Sequence, residues 1–444
     1  MNKILLQNKF RYFIQTFGCQ MNVHESEKIA GLLSSNGYTK VSNMQMADII
    51  VFNTCCIRDT AEKKILSKIG ELKALKRKNK NLIIAIVGCM TQQEGKATSI
   101  LNTYNYIDII LGSNNHLDLV KHINELSKKK KIVQIESLDN NNIIEDFPIY
   151  RESKYKAFVN ITYGCNNFCT YCIVPYVRGP EISRNPQKII EEITGLLSNG
   201  IKEITLLGQN VNSYKFEDID FNKLLIMIDN INVVKEFWIR FMTSHPKDLD
   251  ENIITTIANS KHICNNIHLP LQSGSNKILN LMNRKYNREQ YLNIIKIIRD
   301  KIPHCGITTD IMVGFPYETE EDFLDTLDII EKAQFMNAFT FIYSQRKGTP
   351  ASEMPQIAPE IKKERIMKLI KKQNIIAKNI SNEYVNNTYT AFVESYDHKN
   401  KILIARLQDG KQVNIKNNDI SLLGCFVKIK IKNAGISALL GEVI

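Results

Sequence analysis

Gly164-Cys165-Asn166-Asn167-Phe168-Cys169-Thr170-Tyr171-Cys172 follows directly on the apolar run Phe158–Ile161, which reads as a strand. The stretch is a C-x3-C-x2-C loop that places three thiols within eight residues. A closed 4Fe-4S site takes four thiolates. Three from one loop would hold three irons and leave the fourth open to a ligand, much as a catalytic zinc keeps a free position. A structural zinc site would need a fourth ligand, and none stands at the usual spacing. A redox pair of Cys169 and Cys172 would leave Cys165 without a role.

Outward from this loop the chain reads as an αβ series. Strand candidates are Phe158–Ile161, Glu203–Leu207, Phe237–Phe241, Asn266–Leu269, Ile307–Val313 and Ala338–Ile342, with helical patterns between them. Six such units predict an incomplete (β/α) barrel, with the cysteine loop at its carboxyl mouth, where active sites form. A long amphipathic helix from Pro359 to Ile380 closes the series, with Ile366, Leu369, Ile370, Ala377 and Ile380 at helical spacing. Beyond it the period changes to two. Val427, Ile429 and Ile431 alternate with Lys428, Lys430 and Lys432, and Asp409-Gly410 marks a tight hairpin. A small β-barrel is expected there.

Upstream, apolar runs at Tyr12–Gln15, Ile49–Phe52, Leu82–Val87, Ile107–Leu111 and Ile132–Ile135 alternate with amphipathic stretches such as Glu25–Leu33 and Thr60–Leu75. Continuous apolar strands alternating with helices predict a parallel sheet covered on both faces. The polar, turn-rich segment Asp139–Asp146 reads as a linker. The fold class is therefore α/β. An N-terminal open parallel domain (8–137) and a linker (138–154) precede a partial (β/α)6 barrel (155–382) and a small C-terminal β-barrel (384–444).

A second set of thiols belongs to the first domain. Cys19, Cys55 and Cys89 each follow an apolar strand, 36 and 34 residues apart, about one βαβ unit. Parallel strands bring all three to the carboxyl edge of one sheet, where open α/β sheets bind ligands. They could hold a second cluster, again with one iron unfilled; the alternative is that cysteine merely packs well at strand ends. Alternation along an extended chain leaves only one of Cys55 and Cys56 facing the site, and the phase favours Cys55.

Lys plus Arg number 58 against 46 Asp plus Glu, a net charge of +12. That favours a polyanion partner, although a chain rich in Lys, Asn and Ile would carry some of it anyway. The start, MNKILLQNKFRYF, has no long apolar core of a secretory signal, and no run approaches a membrane span. A cytoplasmic address is expected, where ten cysteines stay reduced and organised ones serve metal or catalysis.

GCNNFCTYC with the following VPYVRG resembles the signature of the radical S-adenosylmethionine methylthiotransferases. Thr16-Phe17-Gly18-Cys19-Gln20-Met21-Asn22, Asn53-Thr54-Cys55 and Val87-Gly88-Cys89-Met90 match the three cysteine motifs of that family's N-terminal domain. The C-terminal barrel is similar to a TRAM domain, an RNA-binding module. The match runs over almost the whole chain in the family's order. GCQMN is most similar to the branch that adds a methylthio group to C2 of N6-dimethylallyladenosine next to the anticodon of tRNA. Cys56 departs from the Ser that the family leads one to expect.

The resemblance implies two 4Fe-4S clusters and S-adenosylmethionine. The cofactor would chelate the open iron on Cys165, Cys169 and Cys172 and yield a 5′-deoxyadenosyl radical to abstract hydrogen from adenine C2. The cluster on Cys19, Cys55 and Cys89 would supply sulfur, methylated by another S-adenosylmethionine. Implied partners are tRNA and a reducing protein such as a flavodoxin or ferredoxin, with no membrane and a monomeric enzyme.

Candidate cofactor contacts stand at the ends of other barrel strands: Gly208-Gln209-Asn210, Ser273-Gly274-Ser275 and Gly314-Phe315-Pro316. Each is equally readable as a plain βα turn. Lys428, Lys430 and Lys432 could track a phosphate backbone, with Tyr389, Phe392 and Tyr396 available for stacking; solvated strand lysines are the alternative. His245 and His268 read as structural. Two other functions compete: methylthiolation of a ribosomal protein, which GCQMN argues against, and a non-enzymatic iron–sulfur RNA-binding protein or sensor, which the two open-iron triads argue against.

Overall fold

The computed structural model describes residues 10–56, 59–138, 147–233 and 236–444, without the side chains of 59–61. The linker segment Asp139–Asp146 lies outside the described residues. The chain divides into two compact units. One holds residues up to Glu152 together with Tyr163–Asn166 and Cys172–Ile182; the other holds Ser153–Thr162, Asn167–Tyr171 and Ser183–Ile444.

The first unit is built on a six-stranded sheet of β1 (Arg11–Thr16), β2 (Thr39–Lys40), β3 (Ile49–Thr54), β4 (Ile83–Gly88), β5 (Ile109–Leu111) and β6 (Ile132–Gln134), in the order β2-β1-β3-β4-β5-β6. Every pairing is parallel. The apolar runs are continuous because alternate residues feed two cores. Ile50, Phe52, Ile84 and Ile86 pack with Ile65, Ile69 and Leu72 of the Asp59–Lys78 helix. Ile49, Val51, Ala85 and Val87 pack with Ile29, Ala30 and Leu33 of the Gln20–Ser35 helix. That division is the period-two geometry of a strand buried on both faces.

In the second unit, Lys156–Asn160, Glu203–Leu207 and Trp238–Phe241 form one parallel sheet, and Asn266–His268, Gly306–Val313 and Asn337–Ile342 form another. A parallel bridge between Ile239 and Ile263 links the two. Together they make the six-stranded open barrel around one large apolar core. The Pro359–Asn382 helix follows, anchored where Gln373 Nε2 donates to the Phe335 carbonyl at 2.8 Å.

The C-terminal strands Thr388–Asp397, Ile402–Leu407, Gln412–Ile415, Phe426–Ala434 and Ala438–Val443 close into a barrel. Asp409-Gly410 lies in the hairpin between two antiparallel members, Ile402–Leu407 and Gln412–Ile415. Ile429 and Ile431 point into its core, while Lys428 and Lys432 are exposed. The barrel is docked on the open barrel by buried charge. Arg240 donates to the Leu407 and Gln408 carbonyls at 2.8 and 3.0 Å and to Glu203, and Lys156 bridges Glu203 and Glu394 at 2.8 and 2.7 Å. Among the described residues, no helix is long and apolar enough to cross a membrane.

Candidate functional site

The carboxyl edge of the N-terminal sheet collects the first set of thiols. Cys19 caps the Gln20–Ser35 helix, Cys55 follows β3, and Cys89 opens a short helix, Cys89–Gln92, directly after β4. Gly18 lets the first loop approach the second: its φ is +109°, and a Cβ there would fall 2.4 Å from Cys55 Cβ and 2.7 Å from Cys55 Sγ. Asn22 ties the loops together, donating to the Phe17 carbonyl at 2.8 Å and the Thr54 carbonyl at 2.9 Å. Thr54 Oγ1 donates to the Val87 carbonyl at 2.6 Å, fastening the third.

Cys56 corrects the alternation argument. β3 ends at Thr54, so strict alternation does not extend to the next two residues. Cys55 lies against Gly18, while Cys56 hydrogen-bonds Cys89; both are buried. The hydrogen bond from Cys56 and the charge of Arg178 bring the Cys89 thiol down to about 6 against the effect of burial. Cys56, as the donor and in a buried place, is pushed the other way.

Sequence reasoning did not single out Arg178, although it stands within VPYVRG. The Val174–Arg178 helix seats Ile173 and Val177 in the apolar cluster of Phe52, Ile86, Cys56 and Cys89. Arg178 Nε reaches Cys89 Sγ at 3.1 Å, and Nη2 donates to Asn22 Oδ1 at 2.8 Å. Burial opposes the guanidinium charge, but the negative charge of Cys89, Cys19 and Glu25 outweighs it and raises Arg178.

In the C-x3-C-x2-C loop, Cys165 and Cys169 are buried and Cys172 is partly exposed. Phe168, at φ +46°, makes the turn, and Asn283 Nδ2 donates to its carbonyl at 3.0 Å. Thr170 donates from its backbone to the Met282 carbonyl at 3.1 Å and from Oγ1 to the Leu281 carbonyl at 2.8 Å. Beside this anchor, the buried Arg284 places Nη1 3.3 Å from Cys169 Sγ. Each thiol set thus has a guanidinium on one sulfur, that of Arg284 buried and that of Arg178 partly buried.

Among the described residues, no three His, Cys, Asp or Glu side chains converge closely enough for a single metal ion. An iron–sulfur cube spreads its thiolates over separate irons, so an all-sulfur donor set with guanidinium support fits a cluster.

The six candidate cofactor contacts separate into used and open groups. Gly274 is packed against the Glu320–Ala333 helix: a Cβ would lie 2.5 Å from the Asp325 carbonyl, and its N–H donates to Thr326. Ser273 is buried beside the same Thr326. Gly314 donates to Glu318 and lies against Lys362. Gly208 abuts Thr162, with Gln209 partly exposed next to it. Asn210 differs. It is 2% exposed and gives Nδ2 to Asp248 at 2.7 Å, yet its buried Oδ1 accepts from no described residue. Ser244, which sequence reasoning missed, follows the neighbouring strand with a buried Oγ in the same condition. Buried polar atoms are seldom left so, and the pair suits a ligand with polar edges.

The aromatic and histidine expectations resolve differently. Phe392 is not available for stacking: it is fully buried, 5.1 Å from Phe426 and clustered with Trp238. Tyr389 and Tyr396 are partly exposed. His245 is structural, capping the Pro246–Asp248 turn through its ring, and burial together with Arg284 holds it down to about 2.

Comparison with known proteins agrees with this architecture. Residues 159–330 match the Radical SAM superfamily, 11–112 the Uncharacterized protein family UPF0004, and 382–444 the TRAM domain. The tRNA-2-methylthio-N(6)-dimethylallyladenosine synthase of Alkaliphilus oremlandii (strain OhILAs) is 48% identical over 98% of this chain and 93% of its own. That of Clostridium novyi (strain NT) is 47% identical over 98% and 96%. Among solved structures, the radical S-adenosylmethionine methyltransferase TsrM from Kitasatospora setae, with cobalamin and a 4Fe-4S cluster bound, superposes with a TM-score of 0.57 at 11% identity, covering 78% of this chain and 74% of that one. At that identity the likeness speaks to fold alone. With near-complete coverage at close to half identity, the chain belongs to the tRNA-2-methylthio-N(6)-dimethylallyladenosine synthase family of radical S-adenosylmethionine enzymes.

Proposed function

We infer that this chain adds a methylthio group to C2 of N6-dimethylallyladenosine next to the anticodon of tRNA. The observation that carries the reading is the near-full-length identity to relatives bearing that name. Membership in the radical S-adenosylmethionine superfamily brings S-adenosylmethionine and a 4Fe-4S cluster with it. Cys165, Cys169 and Cys172 are the ligands of that cluster, and Cys19, Cys55 and Cys89 those of a second. When bound, the first cluster and S-adenosylmethionine supply a 5′-deoxyadenosyl radical, the reagent an unactivated adenine C–H bond requires.

The chain's own residues bind and orient. Asn283 and Thr170 fix the cysteine loop, and Arg284 supports negative charge on Cys169 sulfur. Asn210 Oδ1 and Ser244 Oγ are the buried polar atoms that would hold S-adenosylmethionine at the ends of their strands. Burial of Cys55 and Cys89 keeps water from their sulfurs. The exposed lysines of the Phe426–Ala434 strand serve tRNA phosphates. A flavodoxin- or ferredoxin-like protein supplies the electrons.

The test is anaerobic reconstitution with iron and sulfide, followed by S-adenosylmethionine, dithionite and tRNA carrying N6-dimethylallyladenosine. Methylthiolated nucleoside together with 5′-deoxyadenosine on mass spectrometry is the expected result. 5′-Deoxyadenosine without modified tRNA would overturn the substrate. Intact clusters with neither product would overturn the enzyme.

A further inference from the structure

We infer that Arg178 is a positioning residue that sets the charge, and thereby the reduction potential, of the group held by Cys19, Cys55 and Cys89. The inference rests on the second-cluster reading above. Arg178 stands six residues after Cys172, on a short helix whose Val177 carbonyl accepts from Ser113 Oγ at 2.7 Å. Its guanidinium meets Cys89 Sγ through Nε and Asn22 Oδ1 through Nη2. Asn22 in turn is held by the carbonyls of Phe17 and Thr54, one from each strand end that carries Cys19 and Cys55. One cation is therefore fixed to all three strand ends, directly at Cys89 and through a single amide at the other two.

Arg178 is partly buried, and a guanidinium drawn out of water is costly unless negative charge stands close by, which a charge-assisted contact to sulfur provides. Each electron added to a thiolate-held cluster increases the negative charge beside Arg178. A fixed cation in a low-dielectric site stabilises that state more than the oxidised one. Arginine's planar fork serves Nε and Nη2 at once; a lysine ammonium would keep the positive charge beside Cys89 but only one of the two contacts.

The experiment uses the full chain with Cys165, Cys169 and Cys172 all changed to Ala, reconstituted anaerobically so that only the N-terminal cluster forms. Iron content is measured, and the reduction potential is read by a dithionite titration followed by electron paramagnetic resonance. In that background Arg178→Met is expected to shift the potential to a more negative value, and Arg178→Lys to keep it near the parent's. An unshifted Arg178→Met, at parental iron content, would overturn the inference. So would an Arg178→Lys shift as large as that of Arg178→Met, because packing rather than charge would then be the cause. Should Arg178→Met fail to fold, Asn22→Asp replaces it: a carboxylate against the guanidinium is expected to move the potential the same way, and no movement overturns the proposal. A background protein that binds no iron would instead overturn the second-cluster reading itself.

Discussion

Cys56 and Cys89 are both buried thiols in contact, yet one donates its proton and the other is driven toward thiolate. Cys56→Ser keeps an O–H donor to Cys89, so iron per reconstituted chain should stay at the parent's value. Cys55→Ser should lose one cluster, taking iron from about eight to about four per chain. Loss in the Cys56 protein and not in the Cys55 protein would reverse the assignment. The two thiol sets also separate in product analysis. Cys169→Ala should abolish 5′-deoxyadenosine, whereas Cys89→Ala should still yield it but form no methylthiolated nucleoside; normal product from Cys89→Ala would remove the second cluster. The three spaced cysteines were legible because the strand–helix repeat sets their interval. Arg178 was not, although its motif is plain in the sequence, since Cys89 is 89 positions away and only the fold brings them together.

Among the elements, the turn between β1 and its helix leaves no room for a side chain. Gly18→Ala introduces a side chain at φ +109° and within 2.4 Å of Cys55 Cβ. A destabilisation of about 1–3 kcal/mol is expected, read as a lower thermal midpoint, along with loss of the N-terminal iron. The parallel strands were legible from apolar runs alone, since burial on both faces erases alternation. The same logic misled at Phe392. Phe392 and Val393 are consecutive and both fully buried, because a closed barrel fills its inside while docking its outside against Trp238. Periodicity reports the inward packing and is silent on the outward one. Lysines 428, 430 and 432 behaved as the pattern indicated, with Lys428 and Lys432 exposed. Replacing all three with Gln should weaken tRNA binding and flatten its dependence on log salt by about 0.7–0.9 for each phosphate no longer neutralised. An unchanged slope would place the RNA elsewhere.

For the molecule as a whole, the single tryptophan is a built-in reporter. Trp238 is 3% exposed and 4.9 Å from Phe426 of the C-terminal barrel. Nearby, against its burial, Lys156 and Arg406 hold the Glu394 carboxyl down to about 2. A carboxyl depressed in the folded state stabilises docking above its unfolded value, about 4.3. That contribution, of which Lys156 supplies the part that crosses between the two barrels, is lost as pH falls from there through about 2. Trp238 emission should therefore shift red across that window, and Glu394→Gln should lack this part of the transition. The docking has a consequence for the exchange of domains. Arg240 finds two of its acceptors, the Leu407 and Gln408 carbonyls, in the C-terminal barrel, and the Gly306 backbone is so close to Asp409 that a Cβ there would stand 1.9 Å from its carbonyl. The C-terminal barrel and the open barrel therefore share buried polar contacts and close backbone packing. Arg240 would keep Glu203 and Asn266 without that barrel, so another barrel of the same fold could take its place only by offering two carbonyls and a close-fitting turn at the same positions.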